Sequence, residues 1–176
     1  NNAFVGYMQD FKMYRTSKYT KDFIPASPRP FVLPDTATSV AYGNKIAEPI
    51  NGSTAFDDIT TDNTGDFLSV AESSDYDLAG NDFTLEAWVY QTTDANNVIA
   101  NVWYGISSVE GWLWTVDSDN KVKFYFYNDS ASVVGPMISN TVLSHNRWYH
   151  VATTRVGSTF STYINGKLDV TSTSSD

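Results

Sequence analysis

The eight residues FTLEAWVY, Phe83 to Tyr90, alternate without a break: Phe83, Leu85, Ala87 and Val89 on one side, Thr84, Glu86, Trp88 and Tyr90 on the other. A period of two belongs to a β-strand, and here it gives a strand with one apolar face. A second apolar run, FLSVA at residues 67–71, precedes it across a polar, acidic loop. Residues 65–90 therefore read as a strand, a wide loop and a long strand of an antiparallel β domain.

The rest of the chain repeats that grammar. Residues 4–14 read as a strand with Tyr7, Phe11 and Met13 on one face and Met8, Asp10 and Lys12 on the other. The following RTSKYTKDFIPASPRPF is rich in Pro and Ser and cannot continue a ladder. Breakers recur through residues 31–64, which read as loop with short strands near 39–42 and 54–56. Residues 98–106 and 112–116 are strands split by 107–111, and 117–120 is a hairpin turn. Residues 121–127 alternate, Val122, Phe124 and Phe126 against Lys123, Tyr125 and Tyr127. A loop at 128–135 leads to a strand at 137–143, then to strands at 148–155 and 158–164. Asn165-Gly166 is a strong hairpin signal before a strand at 168–170. Nothing has a helical period, so the class is all-β, an antiparallel sandwich or barrel.

The length, 176 residues, suits one domain with a real core. Eleven Tyr, 10 Phe and 5 Trp suit sheets with half-buried faces. Eleven basic against 20 acidic residues give a net charge of −9 with no basic cluster, which argues against nucleic acid or an anionic membrane as partner. No apolar run approaches a membrane span, so no membrane insertion is expected. Without Cys there is neither a disulfide framework nor a thiolate metal site.

The segments DFLSV, DYDL and DFTLEAWVY resemble the opening of laminin G-like domains in the concanavalin A-like lectin/glucanase superfamily. RWYHVATTR at 147–155 and TYINGKL at 162–168 resemble the same family in the right order, so the resemblance covers 65–176. It implies a jelly-roll sandwich of two antiparallel sheets, and a module that binds glycans or proteins far more often than an enzyme. FVGYMQDFKMY with KYTKDFIP resembles the last strand and exit tail of such a domain, yet stands first, with Gln9 and Asp10 where two acids are usual. Its spelling is similar to that of domains in phage and other viral structural proteins. The expectation is a recognition module, lectin-like, of an extracellular or virion surface protein such as a tail fibre. The alternative is a structural module that packs against copies of itself or other subunits.

Glycoside hydrolysis needs two carboxylates facing one bond. The glutamate–aspartate–glutamate alternation of the superfamily's glycosidases does not occur here. Glu86 stands alone between Thr84 and Trp88, and His145 and His150 have no Ser or Cys partner at a signature spacing. The chain reads as no enzyme, and Glu86 as a structural acceptor. Asp75, Asp77, Gly80 and Glu86 match an EF-hand pattern by accident, since Ala79 fills its fifth position and no helices flank the loop. The resemblance implies a Ca²⁺ bound at the rim. Loop carboxylates able to contribute are Asp57, Asp58 and Asp62, Asp75 and Asp77 with Asp82, and Asp117 with Asp119, each also readable as a solvated turn. A glycan or cell-surface polysaccharide wants an aromatic ring for a sugar's apolar face, with polar groups beside it. Trp103, Tyr104, Trp112, Tyr125 and Tyr127, from neighbouring strands, are the candidates, whereas Trp88 and Trp148 stand in the family-like motifs and read as packing residues.

The whole, residues 1–176, reads as one sandwich: residues 65–176 its main body, 15–64 mostly loop, 1–14 a terminal-type strand. The main body alone would leave an open sheet edge and uncovered core. Residues 4–14 are expected to fill that slot in the same chain, with Phe11 and Met13 buried beside Phe124. The other route is self-association by strand exchange with a neighbouring copy.

Overall fold

A computed structural model describes residues 4–26, 53–56, 73–78, 80–94, 96–103, 111–127 and 133–173. Ten strands follow in order: β1 (Gly6–Tyr14), β2 (Ser53–Phe56), β3 (Phe83–Gln91), β4 (Asn97–Trp103), β5 (Gly111–Val116), β6 (Lys121–Tyr127), β7 (Val133–Val142), β8 (Trp148–Val156), β9 (Thr159–Ile164) and β10 (Lys167–Thr173). Among the described residues the one helical turn is a 3-10 turn at Ser74–Tyr76. Two antiparallel sheets result, one of six strands ordered β10-β9-β8-β3-β1-β2 and one of four ordered β4-β5-β6-β7. This is a β-sandwich of the jelly-roll kind. The expected strands at 39–42 and 67–71 lie outside the described residues.

The core lies between the sheets. Phe83, Leu85, Ala87 and Val89 of β3 face Val122, Phe124 and Phe126 of β6, and with Val151 and Ile164 they are buried, as the alternation predicts. Phe83 and Phe124 meet across the sandwich with ring centroids 5.4 Å apart, and Phe160 packs 6.1 Å from Phe124. Pro136 is tolerated inside β7 because β7 is an edge strand, where a missing N–H need cost no ladder bond.

β1 lies between β2 and β3 of its own chain, with Gly6 opposite Gln91 and Tyr14 opposite Thr84. The alternation read from its sequence is broken at one point. Register shifts between Gln9 and Lys12, and Asp10 takes a φ of 52°. This β-bulge places an extra residue on β1 and reverses the phase of the strand. Met8 and Met13, five residues apart, therefore both pack on the core, opposite Val89 and Leu85. Phe11, expected inside, is 43% exposed.

A second device closes the opposite side. β10 is irregular between Leu168 and Val170, and the residue left over is Asp169. Its carboxylate accepts from the backbone N–H groups of Asn140 (2.5 Å) and Thr141 (3.1 Å) of β7 and from the Thr141 hydroxyl. Asn140 Nδ2 returns a bond to the Asp169 carbonyl at 2.7 Å. The edge of one sheet is thereby stapled to the edge of the other.

Candidate functional site

The outer face of the six-stranded sheet is largely covered by residues 15–26, which cross it as a strap. Lys18 N–H donates to Thr84 Oγ1 (2.8 Å), Tyr163 OH to the Tyr19 carbonyl (3.3 Å), and Leu168 N–H to Asp22 Oδ1 (2.8 Å). Phe23 N–H donates to the Gly166 carbonyl at 2.7 Å. Phe23 stacks on Tyr19 at 3.5 Å and lies edge-on to His150 at 5.6 Å. Gly166, with Asn165, forms the β9–β10 hairpin turn at positive φ. A Cβ there would lie 1.9 Å from the Phe23 carbonyl oxygen, so glycine serves both the turn and the strap.

Beneath the strap lies Glu86, the one buried carboxylate among the described residues. Tyr19 OH donates to its Oε2 at 2.5 Å and Tyr14 OH to its Oε1 at 3.2 Å. Lys18 Nζ stands at 3.3 Å, Lys12 Nζ at 3.6 Å and His150 Nε2 at 3.6 Å. Burial pushes this carboxyl up, but the bonds from His150 and Tyr19 and the charge of Lys18 outweigh it and hold the group well below the usual carboxylate range. Burial, then the bond to Glu86, pushes the Tyr19 phenol up to about 12. The cross-strand neighbours of Glu86 are Lys12 and Ala152, so no second carboxylate faces it in register. Every feature of this carboxylate is that of an acceptor locked by donors.

Past the strap the same face carries half-buried rings. Tyr7, Tyr90 and Trp148 share one row, with centroids 5.6 and 5.5 Å apart. Trp88 stands in the next row between Gln9 and His150, at the end of the strap itself, its Nε1 donating to the Ala26 carbonyl at 3.1 Å. Trp88 and Trp148, read from the sequence as packing residues, are half-buried here, opposite the apolar side of each strand.

The residues singled out for glycan contact fall mostly on the four-stranded sheet. Register sets Trp103 of β4 and Tyr127 of β6 each opposite Gly111 of β5, and Leu113 opposite Tyr125. Tyr125 is half-buried, and its OH lies 3.5 Å from Asp117 Oδ2. Lys123 on the same strand bridges Asp117 Oδ2 at 2.8 Å and Asp119 Oδ2 at 3.1 Å. The bond to Asp117 raises the Lys123 ammonium above its ordinary value. Trp112 does not join this set. It is 3% exposed in the core and donates its Nε1 proton to the Tyr76 carbonyl at 2.9 Å, so it presents no ring to a ligand. The shared apolarity of Trp112, Trp114 and Val116 is the physical reason: the three lie on the buried side of β5. Tyr104 lies outside the described residues.

Of the acids, Asp57, Asp58 and Asp62 lie outside the described residues. Asp75 and Asp77 are exposed on and after the 3-10 turn, and Asp75 faces Arg15 Nη1 at 3.5 Å. Asp82 accepts from Gly157 N–H at 2.7 Å. Among the described residues no three acidic, His or Cys side chains converge, so Asp75 and Asp77 by themselves do not make the oxygen cage a hard cation needs. No helix among the described residues is long and apolar enough to cross a membrane.

Fold and surfaces together define a lectin-type antiparallel β-sandwich. The family sequence profile agrees: residues 61–176 match, and the chain belongs to the concanavalin A-like lectin/glucanases superfamily, within a laminin G-type family. No curated protein matches the sequence. Among solved structures it is similar to the carbohydrate binding module CBM66 from Bacillus subtilis, at 18% identity over 53% of this chain and 71% of that one, with a TM-score of 0.31.

Proposed function

We propose that the chain is a non-enzymatic recognition module of an extracellular or virion surface protein, and that it binds a glycan on the outer face of its four-stranded sheet. Membership of a lectin-containing superfamily supports the reading. The observation that carries it is Tyr125, half-buried beside the Lys123–Asp117–Asp119 cluster. A phenol ring takes the apolar face of a sugar, while carboxylates and an ammonium accept from and donate to its hydroxyls. Trp103 and Tyr127 stand at the register positions flanking Gly111, two residues along β5 from Leu113, the partner of Tyr125. Ca²⁺ enters the proposal only as an accessory that loop carboxylates would hold, Asp57, Asp58 and Asp62 in one loop or Asp75 and Asp77 in another.

The test is a glycan array probed with the whole chain, with and without a chelator. Binding is expected, and Tyr125→Ala should weaken it at least tenfold with the fold retained. An array that stays blank in both conditions removes the glycan reading. Binding indifferent to Tyr125→Ala and Lys123→Ala removes this face.

A further inference from the structure

We infer that the sugar taken by the outer face of the four-stranded sheet carries an acetamido group, whose methyl lies on Ile138 and Val142 of β7 and whose N–H is accepted by Asp119. The inference rests on the glycan reading above and names the class of sugar, a neutral N-acetylhexosamine.

A bulge gives the edge strand β7 an outward apolar side. Ile138 pairs with Lys123 and Val142 with Lys121, so a step of four residues along β7 matches a step of two along β6. Two extra residues preserve the phase of the strand, and both side chains keep to the outer face. Met137 and Leu143 are buried, while Ile138 is 39% and Val142 55% exposed. The bulge is held in place. The Ser139 hydroxyl accepts from Val122 N–H at 3.0 Å, and the Asp169 carboxylate grips Asn140 and Thr141. Edge strands commonly turn charge outward. Two aliphatic side chains fixed on that side and rimmed by charged groups make a contact surface instead.

The polar rim selects the occupant. Leu143 N–H donates to the Asn120 carbonyl at 2.7 Å, which seats the end of β7 against the turn that carries Asp117 and Asp119. The Asp119 side chain is 48% exposed, and its Oδ2 lies 3.1 Å from Lys123 Nζ. Its Oδ1 accepts from Lys121 N–H at 3.2 Å. A carboxylate offers about four acceptor positions, so Asp119 keeps capacity for a donor from outside. An acetamido group presents an N–H and a methyl on either side of one carbonyl carbon. An open carboxylate next to exposed aliphatic side chains receives both at once. A hydroxyl in the same place would use the carboxylate and leave Ile138 and Val142 in water. Tyr125 lies two residues from Lys123, about 6.8 Å along β6, within reach of the same pyranose. Asp117 and Asp119 are matched in charge by Lys121 and Lys123. The face therefore favours a neutral sugar over a uronic or sialic acid.

The test probes the whole chain on an array printed with matched triplets: hexose, hexosamine and N-acetylhexosamine, each in gluco, galacto and manno configuration. Within the best-bound triplet the N-acetylated member is expected to bind about tenfold tighter than the hexose. The double variant Ile138→Thr, Val142→Thr changes only exposed positions. It should keep the wild-type Tm and level the triplet, whereas Tyr125→Ala weakens all three members. Should the double variant lower the Tm, Val142→Thr alone, at the more exposed position, takes its place. A hexose bound as tightly as its N-acetylated partner overturns the inference, and so does a preference that survives the variant. Tightest binding of the free hexosamine also overturns it, since the carboxylates would then be reading a cation. Each of these results leaves the glycan function standing. A blank array removes the function and this inference together.

Discussion

The hydroxyl of Tyr19 donates to Glu86 Oε2 at 2.5 Å and ties the strap to the centre of the six-stranded sheet across 67 residues of sequence. The carboxylate is charged in the folded protein because the bonds from His150 and Tyr19 and the charge of Lys18 outweigh the burial that opposes it. Its ordinary value is 4.5, and the folded value lies well below it. A depressed carboxyl stabilises fully above its unfolded value and loses that contribution as pH falls through the acid range. Stability should therefore decline below about pH 4.5. Glu86→Gln should cost about 2 kcal/mol at neutral pH and flatten that decline. Urea melts of both proteins from pH 2 to 7 check it, and parallel curves would refute it.

Tyr19 supplies the alkaline counterpart. A phenol raised to about 12 keeps its proton where the unfolded chain, near 10, gives it up. Its contribution is whole below about pH 10 and drains as pH rises towards 12. Tyr19→Phe should remove that part of the alkaline limb, read by thermal melts at pH 9 to 11.5.

Gly166 is the strap's anchor. Gly166→Ala strains a positive-φ turn and drives a Cβ into the Phe23 carbonyl, at a cost of about 2 kcal/mol. Amide exchange should accelerate across residues 16–26 before it does in β6. Uniform acceleration would mean that the strap and the sandwich open as one unit.

Phe124→Ala opens a hole where three rings meet between the sheets, and should cost about 3–5 kcal/mol. A loss below about 1 kcal/mol would show that the core collapses to fill it.

Hydrolysis is the outcome this chain should not give. No reducing ends are expected from a panel of β-glucans. Activity abolished by Glu86→Gln would convert the locked carboxylate into a catalytic one.

Most strands could be read from alternation alone, because each buries one face and period two then has a single interpretation. β6 begins and ends where its pattern does, and the nine residues expected in the core around Phe124 are buried. The reading failed where the period breaks. The bulge at Asp10 turns Phe11 outward, and a two-residue period carries no sign of an inserted residue. Trp112 was misassigned as a ligand ring although it shares its side of β5 with Trp114 and Val116. The strap escaped for another reason. Tyr19 and Phe23 sit in a segment without regular structure, and their partners Glu86, His150 and Gly166 are far away in sequence. Local pattern does not encode such contacts.

The place of β1 has a kinetic consequence. As the polypeptide is synthesised this strand emerges long before β3, the neighbour with which Tyr14 must meet Thr84 and Gly6 must meet Gln91. Closing a loop of that length costs about 4 kcal/mol of chain entropy before any ladder bond offsets it, and pairings so remote slow the search. The hairpins from β4 to β10 can assemble meanwhile, each from residues close at hand. Refolding should thus have a slow last phase in which β1, made well before its partner β3, docks latest. In that phase Met8 and Met13 cover the core, and the strap locks over Glu86 only after they are seated.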